Sequence, residues 1–228
     1  MTTTYFSDHS LTFLAQLAKN NHRDWFEQHK QDYEERVRTP ALHFIEDMAA
    51  DLAAISPHFL AVPRKVGGSL MRVYRDVRFG KDKRPFKTNI GIQFRHERGK
   101  DVHAPGFYVH IEPQECFVGV GIWRPDAPAL AKIRMRIVEH PGDWLAARDA
   151  KPFGQRFERR GDALKNPPRG IDKAHPLVDD LKCKDFIAVA PMTPTQVISP
   201  VFKTEVVNSF EQAVPYMRFL CRALDLSF

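Results

Sequence analysis

Cysteine is scarce in this sequence. Cys116, Cys183 and Cys221 are widely spaced over 228 residues and form no Cys-x-x-Cys pair. That excludes a disulfide framework or a zinc knuckle and fits a reducing compartment. Long apolar runs are missing too. No stretch approaches the ~20 residues a helix needs to span a bilayer, and the start MTTTYFSDHS lacks the charged region and apolar run of a secretory signal. A cytoplasmic protein without a membrane partner is expected. Also absent are the GxxxxGK[ST] phosphate loop, the GxGxxG turn, the GxSxG nucleophile elbow, internal repeats and low-complexity tracts. No cofactor is expected.

What the chain has is positive charge in one place. Residues 69–100 hold ten Lys or Arg against three acids, a local net of +7 in a chain whose formal net charge is +6. Within this stretch Arg72, Arg75, Arg78, Lys81, Lys83, Arg84 and Lys87 crowd together with Asp76 and Asp82 interleaved. Like charges this close repel unless the segment is disordered, acids neutralise them, or an anion binds. Asp76 and Asp82 can hold two of the cations, which leaves others for phosphate, sulfate or carboxylate. Phe79, Pro85 and Phe86 argue for a loop pinned to a core, and Gly80 permits a turn.

Periodicity supplies the frame. Residues 69–123 read as four strands, with the charged loop between the first and second. Ile90, Ile92 and Phe94 alternate with polar or small residues, as do Phe107, Val109 and Ile111, and Val118, Val120 and Ile122. The short Pro113-Gln114 turn makes the last two strands an antiparallel hairpin. One sheet face is thus aliphatic and needs a helical cover. The other carries Asn89, Gln93, Tyr108, His110, Glu112 and Trp123, thinned by glycines that mark close approach of a ligand or another backbone. Helices are expected over about 8–19, 23–38, 40–55, 129–139 and 141–150, from a start at Ser199-Pro200, and in a last helix opened by Pro215, with a strand near 185–189. The first three are the expected cover. Residues 151–176 read as short strand pieces and turns. The whole, residues 1–228, is expected to be a single α+β domain with an antiparallel-rich sheet of four or more strands and helices covering one face.

The segments FLAQLAKNNHRDWFEQHKQDYEERV, MRVYRDVRFGKDKRPFKTNIG, APGFYVHIEPQECFVGVGIWRPDAPALAKIR and HPLVDDLKCKDF resemble an uncharacterised family of bacterial and fungal proteins, the conserved hypothetical family termed domain of unknown function 2461. The resemblance spans about residues 6–224, and its most specific part is the RDxRF-x-KDK-x-P-x-K block. It implies a single-domain cytoplasmic protein and carries no catalytic role over to any residue.

The chemistry is therefore read from the residues. His110 and Glu112 share a strand face two residues apart, close enough for a joint proton transfer. A metal would need a third ligand, from His96, His103 or Asp101, and none is expected. Cys116 faces the core under the alternation, so a thiol nucleophile is not expected. Tyr108 and Trp123 can stack on a ring or simply pack. Three readings follow. In the first, Arg72, Arg75, Asp76, Arg78, Lys81, Lys83 and Lys87, with Tyr108 and Trp123, bind an anionic small molecule such as a nucleotide or phosphorylated metabolite. His110 and Glu112 supply any acid–base step. In the second, the same loop tracks a nucleic-acid backbone. In the third, the loop is an internal ion-pair network and binds nothing.

Overall fold

The computed structural model describes residues 3–78, 81–99 and 104–228. The chain begins with α1 (Asp8–Lys19), where the Ser7 N–H donates to Ser10 Oγ at 3.2 Å and Phe13, Leu14 and Leu17 face the core. Then follow α2 (Arg23–Gln28), α3 (Lys30–Tyr33), a π-helical turn at Glu34–Arg38, α4 (Thr39–Asp47) and α5 (Ala49–Ile55). The sequence reading had two long helices here. Instead α2 stops at His29, and the second junction is absorbed by the π turn. Pro40 has no N–H to donate and its ring would press on the carbonyl four residues back. Widening the preceding turn, so that the Thr39 N–H reaches Glu34 O, lets the helix pass through the proline.

Six strands make one antiparallel sheet. They are β1 (Phe59–Leu60), β2 (Ile90–His96), β3 (Gly106–Ile111), β4 (Cys116–Ile122), β5 (Glu158–Arg160) and β6 (Phe186–Met192), in the order β1-β2-β3-β4-β6-β5. Between β4 and β5 lie α6 (Ala127–Glu139), α7 (Pro141–Arg148) and α8 (Lys151–Arg156), and α9 (Val178–Lys182) precedes β6. The chain closes with α10 (Pro194–Val197), α11 (Phe202–Gln212) and α12 (Val214–Ala223). The fold is α+β with an antiparallel sheet. Among the described residues no helix is long and apolar enough to cross a membrane.

The expected first strand near 69–75 does not form; only isolated bridges Leu70↔Ile92 and Tyr74↔Phe86 remain. Its role at the edge of β2 is shared by β1, which pairs Phe59 with His96. A ladder cannot extend further because Pro85, opposite Arg75, has no N–H to donate.

Alternation sorts the two faces. Ile92, Phe94, Phe107, Val109, Val118, Val120, Ala188 and Ala190 are all on the core side and at most 3% exposed. Their direct cover is not chiefly the N-terminal helices. Phe210 of α11 lies against Phe94 and Phe107, with ring centroids 5.9 and 4.5 Å away. Trp144 of α7 fills the corner among Phe186, Tyr216 and Phe219. The N-terminal helices join through Phe44 against Phe202 at 5.0 Å. The C-terminal helices win this place because α12 is apolar over most of its surface, with six of its ten residues buried. Phe210→Ala should therefore cost about 3–5 kcal/mol, read as a lower urea midpoint at unchanged slope.

Candidate functional site

The basic stretch is built as a hairpin. The Lys87 N–H donates to Val73 O at 2.7 Å and the Arg75 N–H to Pro85 O at 2.8 Å, across the Tyr74↔Phe86 bridge. Its base is fixed from outside by Asn21. This side chain donates through Nδ2 to Phe86 O and accepts from the Phe86 N–H through Oδ1, both at 3.0 Å. The Phe86 ring stacks on Phe26 at 4.2 Å and meets Tyr74 at 5.3 Å. The hairpin is thus tied to the α1–α2 corner through backbone and core together. Phe79 and Gly80, the expected aromatic anchor and turn, lie outside the described residues.

Two acids organise most of the arginines. Asp76 takes a two-pronged contact from Arg78, with Nε at 3.0 Å and Nη2 at 2.7 Å, and accepts the Arg78 N–H as well. Asp82 accepts from Arg75 at 2.5 Å and from Arg84 through Nε and Nη2. These guanidinium hydrogen bonds hold both carboxyls well below the usual carboxylate range. Lys83 Nζ donates to Val77 O at 3.0 Å, and Lys81 is exposed.

Lys87 and Arg72 stand apart. Lys87 is half-buried, and the polar contact of its ammonium among the described residues is the Met71 thioether at 3.9 Å. Burial lowers its pKa, and the charge of Arg72 lowers it further. Met71 in turn lies over Gly91. A Cβ at Gly91 would sit 3.1 Å from Met71 Sδ and 2.8 Å from the Tyr108 hydroxyl. The missing side chain is therefore a seat for these two groups.

Tyr108 leads into a short polar chain. Its hydroxyl lies 3.2 Å from His110 Nδ1, which Asn89 Nδ2 also approaches at 3.4 Å. With donors at Nδ1, the neutral imidazole carries its proton on Nε2. Glu112 Oε2 is 3.5 Å from that atom. The distance suffices for attraction, but the geometry makes no hydrogen bond, so Nε2 is sealed from solvent without a partner. Thr88 Oγ1 donates to the other Glu112 oxygen. The His110 ring is parallel to Phe117, 4.7 Å away. Burial lowers the His110 pKa against the opposing pull of Glu112, and burial pushes the Tyr108 phenol up to about 12. At neutral pH the cluster thus holds a neutral imidazole and a neutral phenol beside Glu112.

The sheet register gathers Tyr108, His110 and Glu112 at the end of β3 nearest the hairpin base, where Lys87 and Arg72 also sit. Arg84 is near enough to Glu112 to feel its charge. Arg75, Asp76 and Arg78 belong to the hairpin's internal pairs. Trp123 does not join the cluster: it follows β4 at the far end, six positions from Phe117 and so about 20 Å along the strand, with Arg124 over its ring at 4.7 Å. His96 is buried and turned to Ser227 O at 2.9 Å. His103 and Asp101 lie outside the described residues. Among the described residues no group of three or more His, Cys, Asp or Glu could hold a metal ion.

Two surface depressions lie elsewhere. One of about 500 Å³ is rimmed by Tyr5, Glu35, His43 and Asp47, and another of about 490 Å³ by Arg98, Asp126, Lys132 and Leu226. Neither includes a residue of the sheet-face cluster. Asn21, Met71 and Thr88 escaped the sequence reading as site residues. Asn21 and Phe86 are 65 positions apart, and no local signal announces such a bond.

The fold and site define a class: an α+β protein with a six-stranded antiparallel sheet whose polar face meets a cation-rich hairpin. The chain belongs to the conserved hypothetical protein family DUF2461, which matches residues 9–219. No curated protein and no solved structure matches it.

Asn21→Ala removes two hydrogen bonds at once and leaves Phe86 backbone groups unpaired. It should cost about 1–3 kcal/mol and speed hydrogen exchange at the Phe86 and Lys87 amides, while amides of β4 and β6 keep their protection.

Proposed function

We propose that the chain binds an anionic small molecule, of the nucleotide or phosphorylated-metabolite kind, at the hairpin base against the polar sheet face. The carrying observation is Lys87, a half-buried ammonium with a thioether as its neighbour and a second cation, Arg72, beside it. Asp76 is near enough to Arg72 to feel its charge, but Lys87 has no carboxylate at its ammonium; two like charges placed together raise the energy of the empty site, and an anion offsets it. Arg75, Arg78 and Arg84 serve indirectly, holding the hairpin in shape through Asp76 and Asp82. Lys81 and Lys83 add long-range attraction for an incoming anion. Tyr108 supplies a phenolic donor, and His110 with Glu112 supplies an acid–base pair.

Engagement of three arginines by the protein's own acids favours a compact ligand over a nucleic-acid backbone, because little cationic surface remains to follow a strand. Free thiols at all three cysteines fit work in the cytoplasm.

Sulfate, which does not titrate in this range, is the simplest probe. It should raise the unfolding midpoint of the parent protein by mass action, and the rise should vanish in Lys87→Met and persist in the surface control Lys65→Ala. The pH dependence has a definite sign. The ammonium exists below the folded pKa of Lys87, which lies under the ordinary 10.5. Sulfate stabilisation should therefore be lost as the pH rises, before 10.5 is reached. No sulfate response, together with oligonucleotide affinity that falls steeply with salt, would replace this reading with the nucleic-acid one.

A further inference from the structure

We propose that Lys87 is a carbonyl-reactive lysine, forming an imine with a small anionic aldehyde or ketone whose carboxylate or phosphate is held by Arg72. The inference rests on the anion site just described and names its substrate class.

Comparison among the lysines is the starting point. Lys30, Lys65, Lys132, Lys182 and Lys203 each place the ammonium on a carboxylate, which stabilises the proton and blocks nucleophilic attack. Lys87 has a thioether instead, 3.9 Å away. A thioether is a weak acceptor and holds the proton poorly. Burial and the facing Arg72 charge both favour the free amine, the environment in which an amine becomes a nucleophile near neutral pH. The surroundings match the rest of the reaction. Met71, which touches Lys87, shares the space above Gly91 with the Tyr108 hydroxyl. From there the Tyr108 hydroxyl meets His110 Nδ1 at 3.2 Å, and Glu112 faces His110 Nε2 at 3.5 Å.

The step balances without an outside reagent. The Nζ lone pair attacks the carbonyl carbon, a C–N bond forms, and the π electrons move to oxygen, which takes a proton. Nitrogen then gives up a proton, the hydroxyl is protonated and leaves as water, the C=N bond closes as an iminium, and its nitrogen releases the second proton to leave the imine. One amine and one carbonyl yield one imine and one water. In this step Tyr108 turns its hydroxyl from His110 Nδ1 to the developing oxyanion, and the freed Nδ1, with Glu112 facing the Nε2 proton, takes up and returns the protons.

The test treats the folded full-length protein with glyoxylate and cyanoborohydride, maps the modified lysines by mass spectrometry, and repeats the reaction with uncharged propionaldehyde. Glyoxylate should label Lys87 in preference to exposed Lys83, by about tenfold for each unit that the Lys87 pKa lies below that of an exposed lysine. Propionaldehyde should show a smaller preference, and Arg72→Gln should reduce the glyoxylate preference to that level. Lys87→Arg should lose the adduct and keep sulfate stabilisation, since it remains a cation. Labelling spread over the lysines according to exposure overturns the proposal. If sulfate still stabilises the parent in that case, the imine step fails alone; if sulfate does nothing either, the anion site fails with it. Equal preference for glyoxylate and propionaldehyde overturns the anionic-substrate assignment.

Discussion

The arrangement depends on a cation placed where the fold gives it no acid. Lys87 cannot swing away from the polar sheet face, because its own N–H is bonded to Val73 and its neighbour Phe86 is bonded to Asn21 on both sides. Phe86 is also stacked in the core on Phe26. The backbone entering β2 is therefore fixed, and the side chain at position 87 must emerge beside Met71 and Arg72. Solvating an ammonium with a thioether and a neighbouring guanidinium is unfavourable. Folding tolerates it because the aromatic core and the hairpin bonds determine the backbone independently of that charge.

The same backbone frame divides the basic hairpin into two populations. Asp76 and Asp82 each sit two residues before an arginine, and in both cases the carboxylate receives the N–H and the guanidinium of that residue. This repeated local motif keeps Arg78 and Arg84 beside the hairpin, while Arg75 reaches Asp82 across it. What is left for a ligand is the pair nearest the sheet. There the neutral His110, held by Tyr108 and Asn89 on one side and faced by Glu112 at 3.5 Å on the other, keeps an unpartnered Nε2. A shift of a few tenths of an ångström would complete that hydrogen bond, which is the type of adjustment a bound ligand brings.

Much of this was legible in the sequence, for physical reasons that can be named. The alternation of Ile90, Ile92 and Phe94, and of Phe107, Val109 and Ile111, fixes which side of each strand is apolar, so the polar face followed directly. The β3–β4 hairpin followed from its short turn. The strand that does not form near 69–75 was misread because apolar content there reflects burial of Leu70, Val73 and Phe86 in loops, not a ladder. The place of β6 beside β4 and the cover by α11 and α12 depend on contacts distant in sequence, for which periodicity has no signal. In the site, the charge cluster and the role of Asp76 and Asp82 as partners were visible. Which cations they would choose was not, since that depends on hairpin register. Trp123 shares the strand parity of His110 but not its end of the strand, a distinction that parity alone cannot make.

The central claim is that the Lys87 ammonium is held without an acid and awaits an anion. The most direct measurement is an NMR titration of the lysine side-chain amino groups in isotopically labelled protein, with Lys87→Arg for assignment, in the presence and absence of sulfate. The account predicts one lysine titrating below the ordinary 10.5 and moving upward when sulfate is added. A Lys87 that titrates with the exposed lysines and ignores sulfate would contradict it.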